Sequence, residues 1–153
     1  NENLLARQNE KDIKNLIETN LIGPIILTKK TIKFLMINNS GRIINISSIV
    51  AKSGYKGTVA YSSAKSGMEG VTKSLARELG KRNITVNSVA PGYMKTDLTK
   101  KMDPKKLKQI IRRTPLGRSG NVSDVVGIVE FLLKKEASFI SGQSILVDGG
   151  LLS

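Results

Sequence analysis

Tyr61 and Lys65 lie four residues apart in the run Ala60-Tyr61-Ser62-Ser63-Ala64-Lys65, thirteen positions after Ser48, which ends an apolar run. A phenol, an ammonium and a hydroxyl are the groups needed to pass a proton to or from a carbonyl oxygen. On a helix, positions i and i+4 share a face, so the phenol and the ammonium can enter one pocket through local geometry alone. A free tyrosine titrates at about 10. A nearby cation favours phenolate, so Lys65 is expected to move Tyr61 toward the range useful for general acid–base work. The chain contains no histidine and no cysteine. Proton chemistry must therefore come from Tyr, Lys, Asp or Glu, disulfides and thiolate metal sites are excluded, and no metal is expected.

These side chains need strands and helices to hold them. Apolar residues recur at helical spacing through Ile13, Leu16, Ile17, Leu21 and Ile25, which predicts a long helix from near Asn9 to Ile37, interrupted at Gly23-Pro24. Proline has no N–H, so the carbonyl four residues earlier, that of Asn20, loses its helical donor. Arg42 to Ser47 reads as a buried β-branched strand that delivers Ser48 at its carboxyl end. Val59 to Gly80 reads as a helix with a small-residue face (Ala60, Ala64, Gly67), followed by a strand from Ile84 to Val89 that ends at Ala90-Pro91-Gly92. A further helix from Val122 to Lys134 and a strand from Ser144 to Val147 repeat the unit. The order predicts three parallel strands with crossover helices. The polar stretch from Met94 to Arg118, with Pro104 and Pro115, starts where such sheets bind ligands and reads as a lid.

At 153 residues with 39% hydrophobic content, the chain has one domain's worth of material and enough apolar residues for a sizeable core. It shows no membrane-spanning run and no secretory signal pattern, and the cytoplasm is the expected location. The net charge of +13 raises the question of nucleic acid. The cations are scattered along helical segments without interleaved aromatics, however, so an acidic protein partner or substrate is the preferred reading.

Six segments together resemble the short-chain dehydrogenase/reductase family, and within it the 3-oxoacyl-acyl-carrier-protein reductases. They are Glu18-Thr19-Asn20-Leu21, Gly41 through Ser48, Tyr61 through Gly67, Ile84-Thr85-Val86-Asn87, Pro91 through Asp97 and Val147-Asp148-Gly149-Gly150. The resemblance implies an α/β, Rossmann-like, doubly wound parallel sheet. It also implies a catalytic set of Asn20, Ser48, Tyr61 and Lys65. In that set Tyr61 gives a proton as hydride arrives, Ser48 holds the carbonyl oxygen, Lys65 holds the nicotinamide ribose, and the main-chain carbonyl of Asn20 anchors a relay water. Tyr61, Lys65, Pro91, Gly92, Met94 and Thr96 are implied to bind the dinucleotide, NADPH ahead of NADH. The implied activity is reduction of a 3-oxoacyl thioester on acyl carrier protein in fatty acid synthesis. Arg82 is the candidate docking cation, Asn39 stands where a second cation is expected, and a homotetramer is implied.

The chain departs from the family pattern in one large respect: it has no glycine-rich first turn. Residues 1–153 are accordingly expected to be the carboxyl-terminal part of a single domain, with the dinucleotide-binding half absent, and to be unstable and inactive alone. Two alternatives stay open, a dehydrogenase of a free alcohol, sugar or steroid, and a catalytically silent interaction fragment.

Overall fold

Side-chain caps and a widened turn set the shape of the first helical segment. In the computed structural model, which describes residues 4–96, 99 and 102–152, the Asn9 side chain accepts from the Lys11 N–H at 2.8 Å and starts helix α1 (Glu10–Ile17). Helix α2 (Gly23–Ile37) continues directly from it, so Gly23-Pro24 does not interrupt the helix as its sequence suggested. The chain passes the proline by widening one turn. Residues Glu18–Ile22 form a π-helical turn closed by the Gly23 N–H on the Glu18 carbonyl, which places Pro24 in the first turn of α2, where a missing donor is tolerated.

Strands β1 (Gly41–Ile46), β2 (Ile84–Pro91) and β3 (Ser144–Val147) form a parallel sheet in the order β1-β2-β3. Ile43 pairs with Val86, and Val89 pairs with Ile145. Helix α3 (Val50–Ser53) and the long helix α4 (Val59–Leu79) connect β1 to β2; helices α5 (Pro104–Arg113) and α6 (Val122–Leu133) lie between β2 and β3.

Alternation along the strands divides the core into two clusters. Ile84, Val86 and Leu79 are buried with Ile32, Leu35, Ile43 and Leu75, which places α2 and α4 on one face. Val89, Leu132 and Ala137 are buried with Ile44, Val125, Ile128 and Ile145, which places α6 on the other. The sheet is covered on both faces, as a doubly wound fold requires. The expected α/β architecture with parallel strands is the observed one. The interior of β2 is wholly buried from Ile84 to Ala90, polar residues included. Asn87 is accommodated there because its amide donates to the Ile140 carbonyl at 2.8 Å and its oxygen accepts from the Gln143 N–H at 3.1 Å.

Candidate active site

The pairing of β1 with β2 runs past the end of β1 and fixes the position of Ser48. The Ser47 N–H donates to the Val89 carbonyl at 2.7 Å and the Ile49 N–H to the Pro91 carbonyl at 2.9 Å, so Ser48 is pinned between two ladder bonds at the carboxyl end of the sheet. Helix α4 reaches this point because its inner face is small: Ala60 and Ala64 are buried. A Cβ on Gly67 would come within 2.9 Å of a Leu21 methyl carbon, which shows how closely α4 packs on the wide turn that contains Asn20.

That packing brings three of the four sequence-derived catalytic candidates together. The Ser48 side chain is near enough to the Tyr61 hydroxyl to lower its pKa. The Lys65 ammonium lies 5.6 Å from the centre of the Tyr61 ring and donates to the Ile46 carbonyl at 2.9 Å. The buried Ser47 hydroxyl donates to the Lys65 carbonyl at 3.3 Å and ties the helix backbone to the strand end.

Asn20 makes no side-chain hydrogen bond to this group. Its amide donates to the Leu16 carbonyl at 3.0 Å rather than to Tyr61 or Lys65, while its own carbonyl lacks an i+4 donor because that position is Pro24.

The electrostatics differ from expectation in one respect. Burial pushes the Tyr61 hydroxyl above its ordinary 10.0, and Ser48 only partly opposes this. Lys65 does not pull it down, because the ammonium is itself half-buried, is shifted down by desolvation and is directed to a carbonyl. The phenol is therefore held neutral, the form that donates a proton.

Pro91, Gly92, Met94 and Thr96 follow at the carboxyl end of β2; Asp97, in the same motif, lies outside the described residues. The Gly92 N–H donates to the Val147 carbonyl at 2.9 Å, and a Cβ there would sit 2.8 Å from both Cα and Cβ of Asp148, so only glycine fits. Met94 bridges to Gly120, and the Thr99 hydroxyl links the Met94 carbonyl to the Thr96 N–H, each at 2.8 Å. Around them is a cavity of about 320 Å³ that also reaches Met102, Leu107 and Ser119.

Sequence reasoning missed the clamp beside this cavity. Arg118 binds Asp124 through two hydrogen bonds of 2.7 and 2.9 Å, and the Asn121 N–H adds a third at 2.7 Å, which together hold the Asp124 carboxyl down at about 2. The Asn-x-x-Asp spacing ahead of an apolar helix was the available signal.

The model of the family described as Enoyl-(Acyl carrier protein) reductase matches residues 1–152. This chain belongs to the short-chain dehydrogenase/reductase family. Among members with curated descriptions, the 3-oxoacyl-[acyl-carrier-protein] reductase of Rickettsia felis is 46% identical over 97% of this chain, and that of Vibrio cholerae is 39% identical over 98%. The chain spans 62% of the length of each. A crystal structure from Agrobacterium tumefaciens assigned as a gluconate dehydrogenase superposes with a TM-score of 0.96 at 29% identity, over 99% of this chain and 60% of that one. These family members are oxidoreductases, and among the described residues no helix is long and apolar enough to cross a membrane.

Proposed function

We propose that this chain carries the proton-transfer machinery of a reductase that converts a 3-oxoacyl thioester on acyl carrier protein to the 3-hydroxyacyl form with NAD(P)H, NADPH being preferred. The observation that carries this reading is the gathering of Ser48, Tyr61 and Lys65 at the end of β1: Ser48 acts on the Tyr61 hydroxyl to lower it, and Lys65 lies across the tyrosine ring, anchored on Ile46. The likeness to the Rickettsia and Vibrio reductases supports the substrate class.

The dinucleotide fits the residues present at the end of β2. The buried Ser119 hydroxyl has no partner in the cavity it shares with Met94 and Thr96, which leaves it a hydrogen-bonding group to offer a ligand. The bound nicotinamide supplies a hydride to the carbonyl carbon. Pro91, Gly92, Met94 and Thr96 would hold its carboxamide and phosphates, and Lys65, with three N–H donors of which Ile46 takes one, would hold the ribose.

Ser48 places its O–H on the substrate carbonyl oxygen, where negative charge develops. Tyr61, kept neutral by burial, gives its proton to that oxygen and completes the hydroxyl group. The Asn20 carbonyl, with no i+4 donor, is assigned to hold a water that returns a proton toward the site.

Arg82 is the assigned carrier-docking cation. Its guanidinium donates to the side chain of Asn39 at 3.2 Å, at the amino ends of β1 and β2. Twenty-one residues separate it from Tyr61 along and just beyond α4, about 30 Å at 1.5 Å per residue, so a carrier held there must reach along the helix to this site.

The test is NADPH oxidation with acetoacetyl carrier protein by the complete gene product, beside Tyr61→Phe. Turnover abolished in the variant supports the reading; equal turnover by both overturns the role of Tyr61, and no turnover by the unmodified protein overturns the substrate class.

A further inference from the structure

Half of α5 is cationic: Lys105, Lys106, Lys108, Arg112 and Arg113 stand in a ten-residue helix with no acidic residue. Lys106, Gln109, Ile110 and Arg113, at i, i+3, i+4 and i+7, share one face, and that face lines a cleft of about 280 Å³. The facing wall comes from Ile49, Val50 and Tyr55, and Leu151 and Leu152 complete the apolar lining. The cleft opens beside the proton-transfer group, because Ile49 and Val50 follow Ser48 directly and the Val50 N–H donates to the Ser48 hydroxyl at 3.4 Å.

Lys106 Nζ lies 5.1 Å from the centre of the Tyr55 ring, which puts one ammonium on the cleft wall. Arg113 lies two turns further along, about 10 Å at 1.5 Å per residue, and long side chains can converge over that distance on one anion. An apolar cleft with two cations along one wall suits a ligand that is apolar at one end and carries a phosphate further out.

We propose that Lys106 and Arg113 form a phosphate subsite that reads the phosphate of a phosphopantetheine arm while the acyl chain occupies the apolar part of the cleft. This rests on the thioester reading above and deepens it, because it moves recognition from the carrier surface to the arm itself. Charge-assisted hydrogen bonds to phosphate are the strong class, and arginine gives them in a bidentate fork.

The experiment compares the complete protein with the Lys106→Ala/Arg113→Ala double variant and with Arg113→Lys. The substrates are acetoacetyl carrier protein, acetoacetyl-coenzyme A and the phosphate-free acetoacetyl N-acetylcysteamine thioester. In parallel, binding of 4′-phosphopantetheine and of pantetheine is measured by calorimetry. The double variant is expected to raise KM about tenfold or more for the two phosphate-bearing substrates, to leave the phosphate-free thioester unchanged, and to lose the preference for 4′-phosphopantetheine over pantetheine; Arg113→Lys is expected to restore part of it.

An equal rise in KM for all three substrates means that α5 acts only as a structural wall and overturns the subsite. A rise with coenzyme A alone assigns the cations to its adenosine phosphate and overturns the arm. If the unmodified protein turns over none of the substrates, the thioester reading fails, and calorimetry still decides the subsite: equal affinity for the phosphorylated and unphosphorylated arm overturns it, and a preference lost in the double variant sustains it.

Discussion

The Lys65 ammonium donates a 2.9 Å hydrogen bond to the Ile46 carbonyl, so the second turn of α4 is fastened to the last residue of β1. This bond joins the helix that carries the phenol to the strand end that leads to Ser48. It also fixes the ammonium across the Tyr61 ring, where burial shifts it down. Lys65→Met removes the anchor and two further donors; dinucleotide affinity is expected to fall about tenfold or more, measured by calorimetry on the complete protein.

Tyr61→Phe keeps the ring and its packing while removing the hydroxyl on which Ser48 acts. Reduction is expected to fall by about 10²–10⁴-fold, the usual contribution of a positioned general acid, with an unchanged circular dichroism spectrum. Retention of full activity would exclude Tyr61 as the proton donor.

The pH profile follows from the direction of the Tyr61 shift. Burial raises the phenol, so it stays protonated through neutral pH, and turnover should decline only on an alkaline limb above the ordinary tyrosine value. Ser48→Ala removes the one contact that lowers it. The variant should be slower, and its alkaline limb should lie higher; a limb that moves down contradicts the assigned interaction.

Gly92 and Gly120 make a contrasting pair. An alanine at 92 meets the Asp148 backbone and Cβ at 2.8 Å, whereas one at 120 meets the flexible end of Met94, which can swing aside. Gly92→Ala is expected to cost about 1–3 kcal/mol as overpacking. Gly120→Ala should cost less, and comparison of their urea midpoints decides the order.

Asp124 titrates at about 2, below its ordinary 3.8, because Arg118 and the Asn121 N–H bind the carboxylate. A carboxyl lowered in the folded state adds stability that is complete above the unfolded value and is lost as pH falls through the folded one. The melting-temperature gap between the unmodified protein and Asp124→Asn should therefore be constant near neutrality and close between pH of about 4 and 2. A gap that persists at the acid end would mean that the stabilisation is not ionic.

The sheet was legible because the β-branched runs at Ile43 to Ile46 and Ile84 to Val89 read as strands without any tertiary information, although only the second is fully buried; the first is half-buried and Ile46 is exposed. The i, i+4 spacing of Tyr61 and Lys65 was legible for the same reason, since helix geometry is local. The path through Pro24 was not: proline says that a bond is missing, but whether the chain breaks or widens depends on the packing of Leu21 against Gly67, which joins residues far apart in sequence. The Tyr61 shift was misread because spacing shows proximity to a cation but not burial, and burial outweighed it. Nothing in the sequence singled out Lys106 and Arg113, because Ile49 and Tyr55 come opposite them only in the fold.

The turn from Glu18 to Ile22 also sets a phase. An α-helix advances about 100° per residue, so the extra residue in a π-helical turn rotates everything on its amino side relative to everything after it. Ile13, Leu16 and Ile17 of α1 are half-buried and α1 lies against α4, while Ile32 and Leu35 of α2 pack on the sheet cluster; one continuous helix serves two neighbours that lie in different directions. Removing a single residue from this turn would leave Pro24 inside an uninterrupted α-helix, with one donor missing, and swing the first stripe off α4. Chain length between Glu18 and Ile22 is therefore constrained more tightly than any one side chain in it.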